Sequence, residues 1–182
     1  NLQCVDCHTT EQHIISGKVY SLSSMNLNRN TCEQCHTAAP HEDDILNEHT
    51  LKVACQTCHI PIYAKGNATK MHWDWSTAGK LKDGEPYVED DSMGNHSYMS
   101  IKGSFVWEKN VVPGYIWFNG TASHYLEGDK VQDTTKPLVL NQLHGSYADD
   151  ESKIIPVKIH DAIQPYDPIN RILIQPKLFA EE

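Results

Sequence analysis

Six cysteines and eleven histidines are the residues of this chain best suited to chemistry. The cysteines form three pairs with the spacing C-x-x-C, and a histidine directly follows each pair. The three motifs are Cys4, Cys7 and His8; Cys32, Cys35 and His36; and Cys55, Cys58 and His59. C-x-x-C-H is the attachment signature of c-type haem, in which both thiols become thioethers and the histidine coordinates iron. The sequence therefore predicts three covalently attached haem c groups.

Other readings of the cysteine pairs explain less of the pattern. Zinc ribbons use C-x-x-C pairs two at a time, which leaves one of the three pairs unmatched. A redox dithiol of the thioredoxin type is expected as one pair in a βαβ setting. Disulfides would not require a histidine after every pair. Haem attachment is the reading that uses all nine residues.

Composition limits the compartment and the partners. Hydrophobic residues make up 39% of the 182 residues, so the protein core should be modest and the porphyrins should supply part of it. The net charge of −9 excludes a nucleic-acid partner, and no apolar run is long enough for a transmembrane segment. Haem is attached to such motifs outside the cytoplasm, which predicts a periplasmic or extracellular protein. Because the chain opens at Asn1, we expect either a removed leader or a piece of a longer polypeptide.

Eight further histidines suggest a second axial ligand on each iron. His13 lies five residues after His8 and cannot reach the opposite face of the same porphyrin, so it would serve a different haem. His49, on a helix before Cys55, has the same limitation. We expect distal ligands first from His13, His41 and His49, and then from His124 and His144. The remaining histidines, His72, His96 and His160, rank lower.

The elements that must position these residues divide the chain unevenly. Residues 1–60 hold every attachment motif, and residues 61–182 should form a haem-free covering part of the same single domain. The pattern predicts a helix over 40–61, mostly loop over 64–95, a hairpin over 98–120 and extended segments over 152–176. The four tryptophans should pack on haem faces or in the small core. The predicted fold class is mainly α with extensive loops, little β structure and a haem-packed core.

Long strings of the chain resemble the octahaem tetrathionate reductase family of multihaem cytochromes c. They include "CVDCHTTEQHIISGK", "PHEDDILNEHTLKVACQTCHIP", "WDWSTAGK", "LNQLHGSYADDESKIIPVKIH" and "QPYDPINRILIQPKLF". The resemblance implies a mainly helical fold whose haems are mostly bis-histidine electron carriers. By the family's motif, His13, His41 and His49 stand at ligand positions, and His124 and His144 fall within its motif strings.

The chain departs from that family in carrying three attachment motifs where the family has eight. It looks like the family's last three haems together with the haem-free C-terminal portion. We therefore expect electron transfer through closely packed bis-histidine c haems, with redox proteins, further haem-bearing chains or copies of itself as partners. The alternative is an oxidoreductase: part of an octahaem reductase acting on tetrathionate, nitrite or hydroxylamine. Lys153 and Lys158 are then candidates, by residue type alone, near an open haem.

Overall fold

A computed structural model describes residues 3–8, 10–11, 14–15 and 30–176 of the chain. His13 lies outside these residues, and only the backbone is described at Cys4, Cys7 and the four residues 10–11 and 14–15. The short helices are α1 (Cys4–Cys7), α2 (Asp44–His49) and α3 (Cys55–His59), with 3₁₀ turns at Cys32–Gln34 and Trp75–Thr77. None of the helices in this described part has the length and hydropathy of a membrane span.

Fifteen strands run through the described residues. They are β1 (Thr10–Glu11), β2 (Ile14–Ile15), β3 (Thr69–Asp74), β4 (Leu81–Lys82), β5 (Glu85–Pro86), β6 (Val88–Asp90), β7 (His96–Met99), β8 (Gly103–Glu108), β9 (Gly114–Phe118), β10 (Ala122–His124), β11 (Asn141–Leu143), β12 (Lys153–Val157), β13 (Asp161–Ile163), β14 (Tyr166–Asp167) and β15 (Ile172–Leu173).

The prediction of a mainly α fold is wrong. Strands account for 32% of the structure and helices for 13%. The helical signal is confined to attachment motifs and to one stretch of six residues in α2, too short to make a helical scaffold. Aromatic and β-branched residues between 69 and 118 pair as strands instead.

The single helix predicted over 40–61 is also broken into two. Asp43 caps α2 by accepting a hydrogen bond from Ile45 N at 2.9 Å, and α2 ends at His49. Val53 then forms a parallel bridge to Ile154, so the backbone leaves the helical conformation before α3 begins. A tertiary strand contact therefore overrides the local helical preference.

The chain divides into two compact units, which we describe separately. The first comprises Asn1–Ile60, Tyr115–Tyr125 and Val139–Pro156; the second comprises Pro61–Gly114, Leu126–Leu138 and Val157–Glu182. The prediction of one domain, with an attachment part at 1–60 and a covering part at 61–182, stays a prediction.

The second unit contains a five-stranded sheet in the order β13-β3-β8-β7-β6. β13 pairs parallel to β3, and the other pairs are antiparallel. The predicted hairpin is confirmed for β7 and β8, where Gly103 takes a positive φ of 83° at the turn. The loop predicted over 64–95 is wrong where β3 and β6 enter this sheet.

Aromatic side chains pack on one another in the second unit. Trp73 stacks on Trp75 at 4.6 Å between ring centroids and meets Phe105 at 5.3 Å. The Lys70 ammonium lies 3.9 Å from the centroid of the Phe105 ring and 5.2 Å from that of Trp107, a cation–π arrangement. These tryptophans thus pack with protein side chains of their own unit.

The first unit is assembled from short elements. β10 and β11 form an antiparallel pair in which His124 faces Asn141 in register. β12 pairs with β9, so the segment after residue 152 is extended as predicted. Ala122 is the one buried hydrophobic residue among the described residues of this unit, and the side chain of Ser152 is fully buried there as well.

Candidate haem-binding site

Each attachment motif forms a single helical turn. α1 spans the first cysteine pair, and α3 spans the whole third motif from Cys55 to His59. In the second motif, Cys35 N and His36 N both donate to Cys32 O, at 3.1 and 2.9 Å. A helical turn places positions i, i+3 and i+4 on one side, so the two cysteines and the histidine can face one porphyrin.

The third motif is fixed to strand β12 by three hydrogen bonds. Ile154 O accepts from Ala54 N at 2.9 Å and from the Thr57 hydroxyl at 2.8 Å, while Ile154 N donates to Lys52 O at 2.8 Å. The Lys52 ammonium also donates to Asp149 O at 3.0 Å. A segment about a hundred residues later in the sequence therefore sets the position of the third motif.

The first cysteines of the second and third motifs lie together. Burial raises the pKa of the Cys32 thiol, and its charge interaction and hydrogen bond with the Cys55 thiol raise that pKa further. The nearby Lys153 ammonium acts in the opposite direction. The four thiols with described side chains, those of Cys32, Cys35, Cys55 and Cys58, are free rather than disulfide-bonded. The second and third C-x-x-C-H motifs are thus adjacent at their first cysteines.

The rings of His41 and His59 form a stacked pair. Their centroids lie 6.1 Å apart and their planes are 17° from parallel. If each metal–imidazole bond is about 2 Å and each ring nitrogen lies roughly 1 Å from its centroid, iron between two imidazoles places the centroids roughly 6 Å apart. The pair joins a predicted distal ligand with a predicted proximal ligand.

Asn47, on α2, holds His41 by three hydrogen bonds. Its amide nitrogen donates to His41 O at 2.8 Å, and its amide oxygen accepts from His41 N at 3.0 Å. The same oxygen accepts from His41 Nδ1 at 3.3 Å. Because the amide nitrogen is already engaged with a carbonyl, its oxygen must face the ring, and the Nε2 lone pair of His41 is left available to a metal.

The two later predicted ligands, His124 and His144, lie on or beside the β10–β11 pair. His124 Nδ1 is 2.9 Å from Asn141 Oδ1, which again leaves Nε2 available. The backbone of His144 is bonded on both sides, since its N–H donates to Thr121 O and its carbonyl accepts from Asn119 N. The structure thus places both histidines in the first unit, the unit that holds the attachment motifs.

The other predicted ligands are less constrained. The side chain of His49 is exposed at the end of α2, and that of His36 is exposed beside the second motif. Asn30 Nδ2 lies 3.1 Å from His8 Nδ1, while the buried Asn30 Oδ1 has no partner among the described residues. Rotating that amide would place the oxygen on His8 Nδ1, as Asn47 does for His41.

The histidines that ranked lower have different partners, all in the second unit. His72 Nδ1 meets the Asp161 carboxylate at 2.5 Å, and His96 Nδ1 meets Asp90 at 2.6 Å. His160 Nδ1 contacts the Lys70 carbonyl at 3.2 Å. Lys158, one of the two lysines named by type, donates to the Thr69 hydroxyl at 2.7 Å. His72, His160 and Lys158 lie within or beside the β3–β13 pair, whereas His96 and Asp90 join β7 to β6.

The first unit fits haem in both packing and donor chemistry. Its described residues bury almost no hydrophobic side chain, yet Leu51 is 69% exposed and Tyr147 74% exposed. Flat apolar groups of porphyrin size would cover such surfaces. No three His, Cys, Asp or Glu side chains converge on a metal-sized site in the described ranges, but a porphyrin iron needs only two protein ligands. Paired imidazoles would provide these two ligands, and the thiols on the helical turns would provide the thioether bonds to the porphyrin.

Sequence reasoning missed the residues that orient these ligands. Asn47 and Asn141 belong to no recognisable sequence motif. Neither the position of Ile154 in the sequence nor its neighbours indicate that it bonds to the third motif. These contacts depend on which short strands pair with one another, and a local sequence pattern does not predict that pairing.

Three C-x-x-C-H turns and one stacked pair of histidine rings are features of a multihaem cytochrome c. The family described as bacterial cytochrome c matches residues 70–182, and the chain belongs to that family. The crystal structure of octahaem cytochrome c from Shewanella oneidensis is similar over the whole chain, with a TM-score of 0.87 and 47% identity. The predicted resemblance to the octahaem cytochromes is thereby confirmed.

The similarity covers only part of the octahaem cytochrome. The chain spans 40% of the length of the octahaem cytochrome. Comparison with curated proteins gives no match. Membership of the family implies covalently bound haem c and electron transfer through haem.

Proposed function

We propose that this chain carries electrons through three closely spaced bis-histidine c haems, as one section of a longer haem chain. The observation that supports this most directly is the His41–His59 ring pair, 6.1 Å apart and nearly parallel. Haem iron, when bound, supplies a centre that takes up and releases one electron. Two imidazoles on one iron leave no open position, which suits electron transfer rather than substrate binding.

The protein residues have separate tasks in this proposal. Cys4, Cys7, Cys32, Cys35, Cys55 and Cys58 anchor the porphyrins, and His8, His36 and His59 are the proximal ligands. His41 is the distal partner of His59. Two of the four other predicted ligands, His13, His49, His124 and His144, bind the two remaining irons. The contact between Cys32 and Cys55 supports close spacing of the second and third haems, because each thiol marks the edge of its own porphyrin.

Haem counting and one histidine variant test the proposal. A pyridine haemochrome assay on the purified, haem-loaded chain should give three haems per polypeptide. His41→Ala should convert one of them from low-spin to high-spin in the absorption and EPR spectra, because its iron loses a ligand. His96→Ala is the matched control and should leave the spectra unchanged, since His96 is bonded to Asp90. A His41→Ala spectrum identical to that of the unmodified protein would contradict the proposal.

Location and partners belong to the same proposal. Covalent haem attachment implies that the mature chain lies in the periplasm or outside the cell, where redox proteins or further haem-bearing chains would exchange electrons with it. Self-association is a further prediction, measurable by light scattering of the haem-loaded chain. The alternative of an octahaem reductase acting on tetrathionate, nitrite or hydroxylamine stays a prediction. A high-spin signal in the unmodified protein that shifts when nitrite is added would support that alternative.

A further inference from the structure

Amide and carboxylate side chains contact the Nδ1 atoms of five histidines in the described residues, and the Lys70 carbonyl contacts that of His160. Neutral amide oxygens contact two of the five predicted distal ligands: Asn47 on His41 at 3.3 Å, and Asn141 on His124 at 2.9 Å. Carboxylates contact two histidines that the proposed function leaves unused, His72 and His96. Among these five histidines, the amides contact residues that the proposed function uses as ligands, and the carboxylates contact residues that it does not use.

The chemistry of the amide explains why the distinction matters. An amide oxygen only accepts, so the imidazole must carry its proton on Nδ1 and present an unprotonated Nε2. The ring is then neutral, correctly tautomeric and fixed in orientation before iron is bound. A carboxylate would also hold the proton on Nδ1, but its negative charge would pull that proton away from the ring and make the imidazole a stronger donor to iron.

The strength of the donor affects the iron. A ligand with more negative charge stabilises the ferric state over the ferrous state, which lowers the reduction potential. A neutral amide therefore holds the potential above the value that a carboxylate at the same position would give.

Asn47 and Asn141 are placed for this role by different elements. Asn47 lies in α2 and bonds both the backbone and the ring of His41, which closes the loop between them. Asn141 lies in β11, directly across from His124 in the antiparallel register. Two unrelated local structures thus deliver the same group to the same ring atom.

We propose that Asn47 and Asn141 are positioning residues that hold His41 and His124 in the iron-binding tautomer and, through their neutral charge, set the reduction potentials of two haems. This inference rests on the proposed function, because it requires both histidines to be axial ligands.

The test replaces each amide by a carboxylate of the same shape. Asn47→Asp and Asn141→Asp, prepared as haem-loaded protein, should each lower the midpoint potential of one haem in a spectroelectrochemical titration. We expect a change of at least tenfold in the ratio of oxidised to reduced iron at fixed potential, which is about 59 mV for one electron. Asn170→Asp is the control, since the Asn170 side chain bonds Asp167 and no histidine, and it should change no haem.

A second substitution tests the positioning of the histidine separately from the effect of charge on the reduction potential. Asn47→Leu and Asn141→Leu remove the acceptor, and ligand affinity should fall by roughly 10- to 100-fold, measured as easier displacement of the histidine by added cyanide. Asn47→Leu also removes two bonds between the Asn47 side chain and the His41 backbone. Among the described contacts, the side chain of Asn141 bonds only the ring of His124, so its variants leave the backbone pairing unchanged.

The outcomes distinguish the two proposals. If His41→Ala produces a high-spin haem but neither aspartate variant moves any potential, the positioning role is overturned and the proposed function stands. If His41→Ala and His124→Ala both leave every haem low-spin, the two histidines are not ligands and both proposals fail for these residues. Potentials lowered at one haem in each aspartate variant, with Asn170→Asp unchanged, support the inference.

Discussion

Gly145 comes directly after the predicted ligand His144 and leaves no room for a side chain. A Cβ atom at this position would lie 2.6 Å from Phe118 N, 2.7 Å from Trp117 C and 2.8 Å from Phe118 Cα. All three are backbone atoms of the neighbouring strand end, which cannot turn aside as a flexible side chain does. Gly145→Ala therefore forces the loop away from Trp117 and Phe118.

The size of the effect can be worked out from that contact. Overpacking against backbone typically costs about 1–3 kcal/mol. For a protein of this length each kcal/mol lowers the melting temperature by about 2–4 °C, so we expect a loss of about 2–12 °C. Thermal unfolding followed by circular dichroism on the haem-loaded protein measures it. If His144 is an axial ligand, the low-spin signal of one haem should weaken as well.

Two other glycines provide matched controls. Nothing lies within 4 Å of a Cβ built at Gly66, and its backbone conformation is open to other residues, so Gly66→Ala should be neutral or slightly stabilising. Gly128 has equal space but a φ of +88°, so Gly128→Ala isolates backbone strain, at about 1–2 kcal/mol. A Gly145→Ala variant that melts within about 2 °C of Gly66→Ala would refute the reasoning.

Three further predictions concern charged groups. The pKa of Asp149 lies below its ordinary value of 3.8, chiefly because the Asn119 amide donates a hydrogen bond to the carboxylate at 2.9 Å. The ionised carboxylate therefore stabilises the fold at pH values above 3.8. This stabilisation is lost as the pH falls through the lowered pKa. Asn119→Ala should therefore destabilise the protein at neutral pH, and its difference in melting temperature from the unmodified protein should shrink on acidification. The pKa of Lys70 is lowered, first by burial and then by the charges of nearby lysines. The stability of the protein should therefore rise with pH between that lowered pKa and 10.5. Lys70→Met should remove this rise in a series of thermal melts at different pH values. Asp161→Asn removes the carboxylate from His72 and should change stability but no haem spectrum, whereas a change in spin state would mean that His72 is a ligand.

The sequence was informative where chemistry is local. The attachment motifs were readable because thiol spacing and the adjacent histidine are fixed by one helical turn, and α3 forms that turn from Cys55 to His59. The choice of His41, His124 and His144 as distal ligands was suggested by the large number of histidines outside the motifs, and it stays a prediction. The ring pair of His41 and His59 required the fold, since α2 and α3 must turn relative to the continuous helix that the pattern predicted.

The strands were missed because their burial gives no clear alternation. All six residues of β3, Thr69–Asp74, are half-buried, so the usual alternation of inward and outward side chains is absent. A bulge between Lys70 and His72 shifts the register of this strand against β8 as well. The glycine and lysine residues around β3 are typical of a loop. Pairing with β8 and β13 nevertheless makes β3 an inner strand of the sheet.

The order in which the parts of the first unit are synthesised has a consequence for haem attachment. All three cysteine pairs emerge before residue 60, but the strand that holds the third motif, at Ile154, emerges nearly a hundred residues later. Until then the segment that contains the thiols has not folded, and long-range pairing of this kind forms slowly. If porphyrin is joined to the thiols during this interval, the chain there is still open, and the pairing of Ile154 with the residues beside α3 would fix the third motif only after its bonds are made.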